Sequence, residues 1–350
     1  MNEILCIGNP IVDMFIDIDT NIAFKYGITE PVQHIEREKA EAILREPLID
    51  FSKAVISSGG GAANVAKIAA MLGINTSFCG CTGEDELAGV FEKQITNAGV
   101  SAVLAKSSEK TGLCFACNLG GVKTGEIRFA ASPGAALDLT KDQINDDLIN
   151  SAEIVVLDGY ILDRRPLVLH VLLKASRRGI PVALDAASVF QVKSKAEEIV
   201  TYSRQFPLIL FMNADETIAF YNTLRKSRDE DVNLSEKEKE TMILRDVSSM
   251  LKIITAGELY PIIVVKLGGR GAIVIAGGNV YHEETMFVTP RDTVGAGDAF
   301  CAAFLAGWIR GKSLSECAVL GNKVAREILK VPGTFIKSGK LKTFAKMLQK

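Results

Sequence analysis

The sequence is poor in several features that define whole classes of proteins. Of its 350 residues, three are histidine and one is tryptophan, and the net charge is −2. Acidic and basic residues are mixed along the chain, so it lacks the basic surface that a binder of nucleic-acid phosphates requires. No apolar run approaches the roughly 20 residues that span a bilayer, and the first residues do not resemble a targeting segment. These absences argue against a nucleic-acid or membrane partner and predict a cytoplasmic protein.

The cysteines lack the pattern of a disulfide framework. There are seven, an odd number, and they are scattered along the chain, which is typical of reduced intracellular thiols. Cys114 and Cys117 form a single CxxC pair in a strand-like stretch with no helix to lower a thiol pKa, so buried thiols are favoured over a redox or zinc site. The histidines do not stand beside a candidate nucleophile, which weakens a serine or cysteine hydrolase.

What the chain does have is a regular alternation of hydrophobic segments. Hydrophobic residues make up 48% of it, enough for one large domain or two unequal ones. Short apolar runs alternate with segments of helical periodicity, which predicts a mostly parallel sheet flanked by helices. These runs are residues 4–7, 154–157, 182–184, 208–211 and 262–265.

Other segments break or end this alternation. Residues from about 11 to 32 and from about 111 to 131 contain short alternating runs, with a turn at Gly120 and Gly121, and predict a second, smaller sheet. Residues 272–276 and 280–282 predict a hairpin at the edge of the main sheet. Thr140 with Gln143, and Ser313 with Glu316, have the spacing of a capping box, so a helix is expected to begin at each pair.

The strongest chemical signal is the run from Asp292 to Asp298, which precedes a helix-forming stretch rich in small residues. Gly295, Ala296 and Gly297 allow a tight turn whose N–H groups converge with the helix N-terminus on one point, and such a point binds anions. A carboxylate beside a bound anion is repelled unless it is needed to take a proton, so Asp298 is a candidate catalytic base. The alternative is that Asp298 only caps the helix.

A second glycine-rich run, from Ser57 to Asn64, lies between an apolar stretch and a helix. It looks like a dinucleotide fingerprint, but Asn64 occupies the third glycine position, and Gly80 stands near the end of the next strand, where a ribose-binding acid is expected. Both features disfavour a nicotinamide-dependent dehydrogenase. Asn64 offers a donor and an acceptor beside Gly59 and Gly60, which suits the adjacent hydroxyls of a sugar. Ordinary helix entry is the alternative. A Walker-type phosphate loop is rejected, because its nearest match is one residue short and follows a helix.

Together these motifs resemble those of the PfkB (ribokinase-like) carbohydrate kinases, and within that family the adenosine kinase-like branch. Gly59-Gly60 with Asn64 is similar to the N-terminal signature, and Asp292 to Asp298 to the C-terminal DTxGAGD signature. The resemblance spans nearly the whole chain. It implies a doubly wound, mostly parallel Rossmann-like α/β fold with a small β-sheet lid. Residues 1–10, 36–110 and 132–350 would form the large domain, and residues 11–35 and 111–131 the lid.

The resemblance also implies roles for residues on the substrate side. Asp13, after the first strand, would accept hydrogen bonds from substrate hydroxyls. Arg128 matches the place of a lid arginine near the transferred phosphate, although a solvated surface arginine is an equal alternative.

Further residues are implied on the nucleotide side. Asn213 and Glu216 match the NxxE element, in which the glutamate helps to hold Mg2+ through water, and simple helix capping is the alternative. Asp292 would belong to a monovalent-cation loop, but Arg291 replaces the usual apolar residue before it, which leaves a need for K+ open. The remaining nucleotide-binding residues would be Gly268, Gly271, Thr293 and Asn322.

The implied activity is transfer of the γ-phosphoryl group of ATP to a primary hydroxyl of a sugar or nucleoside, such as adenosine or ribose. Asp298 would take the hydroxyl proton while the N–H groups of the Gly295–Asp298 turn and Mg2+ stabilise the phosphoryl group. A fructokinase-like or other carbohydrate kinase of the same family is the alternative. A non-catalytic nucleoside or nucleotide sensor is more distant. The sequence leaves the acceptor open, and also whether the protein is a monomer or a homodimer.

Overall fold

The computed structural model describes residues 2–119, 126–226, 234–254, 261–291, 293–330, 343–345 and 348. In these residues the chain forms two β-sheets, one of nine strands and one of five. It divides into two compact units. The first comprises Met1–Ile7, Asn64–Ser77 and Thr140–Lys350, and the second comprises Gly8–Ala63 and Phe78–Leu139. Strands and helices are numbered below in chain order.

The large sheet is mostly parallel. Its strands are β1 (Ile4–Ile7), β5 (Thr76–Thr82), β6 (Ser101–Lys106), β9 (Ile154–Asp158), β10 (Val182–Asp185), β11 (Leu208–Asn213), β12 (Ile262–Lys266), β13 (Ala272–Ala276) and β14 (Asn279–Glu283), in the order β14-β13-β12-β11-β10-β9-β1-β5-β6. The neighbouring pairs β1–β9, β9–β10, β10–β11 and β11–β12 are parallel, whereas the pairs β12–β13 and β13–β14 are antiparallel. The central strands are buried along almost their whole length, as expected for continuous apolar runs covered on both faces.

Helices precede, separate or follow the strands of this sheet along the chain. They are α3 (Gly61–Met71), α5 (Asp146–Asn150), α6 (Arg165–Arg177), α7 (Val189–Gln205), α8 (Ala214–Arg225), α9 (Glu236–Ile254), α10 (Ala296–Ile309) and α11 (Leu314–Ile328). Among the described residues, no helix has both the length and the hydrophobicity needed to cross a membrane.

The small sheet belongs to the second unit. It has the order β3-β8-β7-β2-β4, formed by β2 (Ile11–Ile18), β3 (Val32–His34), β4 (Val55–Gly59), β7 (Gly112–Leu119) and β8 (Glu126–Ser132). Strand β4 pairs here, although the sequence analysis assigned residues 36–110 to the large domain. The same unit contains the helices α1 (Thr20–Lys25), α2 (Arg37–Leu44) and α4 (Glu86–Asn97).

One face of the small sheet has its own hydrophobic core. Buried and partly exposed residues alternate along β2, which is the two-residue period of a strand with one covered face. The covered side chains of the sheet, such as Ile16 and Phe115, share one cluster with side chains of the helices. Ile22 of α1 and Ile43 of α2 belong to this cluster.

The predicted fold class is confirmed: a large, mostly parallel sheet with flanking helices, together with a small second sheet. All five predicted strands of the large sheet are present, as is the hairpin of β13 and β14. Ser313 and Glu316 form the predicted capping box of α11. Thr140 and Gln143 also form one, but it begins only a single 3-10 turn, because Ile144 is extended and α5 has its own cap at Asn145. The predicted turn at Gly120 and Gly121 lies outside the described residues.

The parallel register gathers polar residues at one edge of the sheet. Asp185 ends β10, opposite Asp158 of β9. Asn213 ends β11, opposite Lys266 at the end of β12. Because the carboxyl ends of parallel strands meet at the same edge, these side chains lie where open α/β sheets bind ligands.

Candidate active site

Asp298 lies in the first turn of α10 and does not cap this helix. The N-cap is Gly295, in the left-handed conformation with φ 74° and ψ 1°, and no side chain caps this end. Glycine adopts this conformation at no steric cost. Ala296 N donates to the carbonyl oxygen of Thr293 at 3.3 Å. The first N–H groups of a helix have no partners within it, and such helix starts bind anions. The alternative in which Asp298 acts as a helix cap is therefore wrong.

Asn64, at the start of α3, contacts Asp298 directly. Its Nδ2 donates a hydrogen bond to Asp298 Oδ2 at 2.9 Å. The Asn64 side chain is buried, and its Oδ1 has no hydrogen-bond partner in the described part of the chain. An unsatisfied buried acceptor beside a carboxylate is a site that a hydroxyl donor would satisfy.

The surroundings of Asp298 make its carboxylate more basic than usual. Asp298 is half-buried. Burial, followed by the negative charge of Asp185, raises its pKa to about 6, while the hydrogen bond from Asn64 acts in the opposite direction. Such a group is still ionised at pH 7 and accepts a proton more readily than an ordinary aspartate does.

Two residues that the sequence analysis did not single out form an ion pair next to this turn. Lys266 Nζ lies 2.6 Å from Asp185 Oδ2, and the two side chains are 14% and 18% exposed. Burial lowers the pKa of Lys266, but the negative charges of Asp185 and Glu216 act in the opposite direction, and the pKa is raised overall. The pKa of Asp185 is lowered, because the charge of Lys266 outweighs the effect of burial. Both groups are therefore charged at neutral pH.

Glu216 forms a capping box with Asn213 at the start of α8. Glu216 Oε2 accepts from Asn213 N at 2.7 Å and Oε1 from Asn213 Nδ2 at 2.8 Å, while Glu216 N donates to Asn213 Oδ1 at 2.8 Å. The helix-capping alternative is thus present in the structure. Burial, and next the charge of Asp185, raise the pKa of Glu216 to about 7.

The Glu216 and Asp185 carboxylates meet the chemical requirements of a magnesium site. Mg2+ prefers oxygen ligands, commonly takes one or two carboxylates, and keeps several waters. A divalent cation would relieve the repulsion between these carboxylates, which contributes to the raised pKa of Glu216. No cluster of three or more metal-binding side chains occurs in the described residues, and Mg2+ does not require one.

A cavity of about 280 Å³ lies beside the first turn of α10. Ala296, Gly297 and Lys266 line this cavity. Four predicted nucleotide-binding residues also line it, namely Gly268, Gly271, Thr293 and Asn322. Much of the remaining wall is apolar and includes Phe287, Val288 and Leu329. A cavity with one polar end and apolar walls suits a nucleotide base and sugar with their phosphates at the polar end.

Gly271 and Asn322 shape this wall. Gly271 has φ 96°, and a Cβ there would lie 2.0 Å from the carbonyl oxygen of Glu283. Asn322 Nδ2 donates to the same carbonyl at 3.0 Å. Only glycine fits at position 271 without moving the backbone.

Three of the predicted substrate-binding residues lie together in the second unit. Asp13 of β2 packs against Gly59 of β4, where a Cβ would lie 2.0 Å from Asp13 Oδ2. Gly60 has φ 94° and approaches the carbonyl oxygen of Asn9, which leaves no room for a side chain. Arg128 of β8 is in the same unit, and its Nη1 donates to the carbonyl oxygen of Ile28 at 2.8 Å. Asp292, the predicted cation-loop residue, lies outside the described residues.

Comparison with known proteins adds independent information. The profile of the pfkB family carbohydrate kinases matches residues 23–338. An adenosine kinase from Schizophyllum commune is 22% identical, covering 93% of this chain and 94% of that protein. A 5-dehydro-2-deoxygluconokinase from Bacillus licheniformis is 24% identical, covering 80% and 82%. The structure of adenosine kinase from Sinorhizobium meliloti superposes with a TM-score of 0.80 at 24% identity, covering 99% of each chain, so the two folds are alike.

Proposed function

The chain belongs to the pfkB family of carbohydrate kinases, which are phosphotransferases with an alcohol group as acceptor, and we propose that it transfers the γ-phosphoryl group of ATP to a primary hydroxyl of a sugar or nucleoside. The observation that carries this proposal is the Asp298 carboxylate, held by Asn64 at 2.9 Å in the uncapped first turn of α10. Phosphoryl transfer to a hydroxyl requires a base close to a group that binds anions, such as a helix start.

In the proposed reaction the acceptor hydroxyl gives its proton to Asp298. Its oxygen forms a bond to the γ-phosphorus, the bond from that phosphorus to the bridging oxygen breaks, and ADP leaves with the electron pair. The N–H groups of the turn from Gly295 to Asp298 stabilise the charge on the transferring group. Because the transition state is loose, alignment and electrostatic complementarity supply most of the rate.

Magnesium would be held by Glu216 through water, next to Asp185. When bound, it would neutralise charge on the nucleotide phosphates. The backbone N–H and the side-chain amide of Asn213 each donate a hydrogen bond to the Glu216 carboxylate, so the carboxylate is oriented before a metal arrives.

The remaining residue assignments belong to the same proposal. Asp13, Gly59, Gly60 and Asn64 would bind the acceptor hydroxyls, and Arg128 would act near the transferred phosphate. Residues 11–35 and 111–131, which include β2, β3 and β7 of the small sheet, would act as a lid that excludes water during transfer.

Two acceptor classes deserve testing first. Adenosine kinases match this chain along almost their whole length, which favours a nucleoside. The match to 5-dehydro-2-deoxygluconokinases, at similar identity but lower coverage, makes a keto-sugar acid the second candidate. The buried, unsatisfied Oδ1 of Asn64 requires a donor such as a sugar hydroxyl, which both classes provide.

The test is a panel of acceptors assayed with ATP and Mg2+ by release of ADP. Adenosine, ribose, fructose and 5-dehydro-2-deoxygluconate would be compared with a blank that has no acceptor. We expect turnover with one class, and Asp298→Asn is expected to lower kcat about 10²-fold or more with little change in ATP affinity. Near-normal turnover of that variant would refute Asp298 as the base. ATP binding without acceptor-dependent ADP release across the panel would favour a nucleotide sensor.

A further inference from the structure

Lys266 occupies a position that the proposed reaction does not yet use. It ends β12, lines the cavity, and a Cβ on Gly297 would lie 3.4 Å from its Nζ. Gly297 is in the first turn of α10, so the ammonium group lies against the uncapped helix start. A positive charge beside that start strengthens the same field that attracts anions.

The ammonium group is held in place by its neighbours. Asp185 Oδ2 lies 2.6 Å from Nζ, and Cys301 Sγ lies 3.8 Å from it. Cys301 also donates to Asp185 Oδ2 at 3.1 Å. The side chain is therefore fixed between a carboxylate and a thiol while its ammonium group borders the cavity.

The negative charges near Lys266 indicate a role for its positive charge. The charge of Asp185 acts on both Glu216 and Asp298, and Lys266 interacts with all three carboxylates. Negative charges near the cavity would repel the phosphates of a nucleotide unless a cation offsets them. Of the described residues that line the cavity, the two cations are Lys266 and Arg326, and Lys266 is the one in contact with the α10 turn.

We propose that Lys266 is a phosphate-binding residue of this enzyme, whose ammonium group is shared between Asp185 and the phosphate oxygens of the nucleotide in the cavity. This inference rests on the proposed function. In the free protein the ammonium group neutralises Asp185. When the nucleotide binds, the same group also contacts its phosphates and balances the charge that moves during transfer.

The competing explanation is that Lys266 serves only as the counter-ion of Asp185. Removing one partner of a buried ion pair leaves an uncompensated charge, whereas removing both is often nearly neutral for stability. The double substitution Asp185→Asn with Lys266→Met therefore separates the two explanations. It removes the unpaired charge, so it folds even if Lys266→Met alone does not.

The experiment measures ATP and AMP affinity by calorimetry in EDTA, which removes any metal contribution, together with the melting temperature. We expect Lys266→Met to weaken ATP binding about 10²-fold and AMP binding much less, because AMP lacks the β- and γ-phosphates. Asp185→Asn should retain or increase ATP affinity, because it frees the ammonium group. The double variant should regain its melting temperature and still bind ATP weakly.

Lys323→Met is the matched control, since Lys323 lies on α11 outside this cavity, and its ATP affinity should equal that of the wild type. Recovery of ATP affinity in the double variant, or normal ATP affinity in Lys266→Met, would overturn the role of Lys266. Failure of the wild type to turn over ATP with the acceptor panel would instead contradict the proposed function. The two failures are therefore distinguishable.

Discussion

Asp298 must be charged to act as a base, yet its surroundings disfavour that charge. Burial and the nearby Asp185 raise its pKa to about 6, so at neutral pH the folded protein holds an ionised carboxylate in a place that prefers a neutral one. Functional sites commonly carry such a cost in stability. Asp185 is the opposite case, because the charge of Lys266 keeps its pKa low in spite of burial.

This contrast predicts opposite effects of two similar substitutions. The raised pKa of Asp298 means that the folded state is destabilised by its charge as the pH rises through about 6. Asp298→Asn should therefore increase stability at pH 8 by about 1–3 kcal/mol. The gain should become small near pH 4, where the folded carboxyl is protonated and the unfolded one is about half protonated. Asp185→Asn, which leaves Lys266 unpaired, should decrease stability at pH 8. Thermal melts of both variants across pH 4–8 are the measurement, and a stability loss in Asp298→Asn at pH 8 would contradict the argument.

Two helix starts show that the same capping motif can have different functions. Asn213 with Glu216 at α8 and Ser313 with Glu316 at α11 both form capping boxes. Ser313 and Glu316 are exposed, whereas Glu216 is buried beside Asp185. Both boxes can be read from the sequence, but the burial that distinguishes them cannot.

Replacement of the two caps by alanine should separate these functions. Ser313→Ala is expected to cost about 1 kcal/mol of stability and to leave the Mg2+ dependence of ATP turnover unchanged. Asn213→Ala removes the cap and the side-chain donor to Glu216 Oε1, and it keeps the backbone donor to Oε2. It should therefore lower stability by a similar amount and raise the Mg2+ concentration needed for half-maximal rate. Urea melts and Mg2+ titrations measure both effects. Equal Mg2+ dependence in the two variants would indicate that Asn213 acts only as a cap.

The sequence predicted the elements better than the contacts between them. The apolar runs of β1, β9, β10, β11 and β12 are long and continuous enough to identify buried strands. The uncapped start of α10 was also predictable, because the glycine run limits what the backbone can do. In contrast, β4 joins the small sheet through its pairing with β2, and nothing in its five residues specifies that partner.

The ion pair of Lys266 and Asp185 was missed for the same physical reason. The two residues are 81 positions apart and neither lies in a glycine-rich motif. Their contact follows from the order of β10, β11 and β12 in the sheet, which depends on long-range pairing. A lysine that ends a buried strand, VVK, is the signal that could have drawn attention to it, since charged residues are rarely placed there without a partner.

At the scale of the whole molecule, the reactivity of the cysteine thiols is a measure of how the chain unfolds. All seven are free and buried, and burial raises the pKa of Cys79, Cys117 and Cys317 to about 12. Thiol reagents attack the thiolate, so the native protein should react only when it opens. Cys114 and Cys117 lie in the small sheet, whereas Cys301 and Cys317 lie on α10 and α11.

We predict that the thiols of the two units become reactive at different urea concentrations. The small sheet has a more limited core, formed by one sheet face and short helices, and a smaller core opens at a lower free energy. Iodoacetamide pulses followed by peptide mass spectrometry should therefore label Cys114 and Cys117 before Cys301 and Cys317. ATP should delay the labelling of Cys301, because a ligand stabilises the state that binds it. A single midpoint for all seven thiols would mean instead that the two units unfold as one cooperative structure.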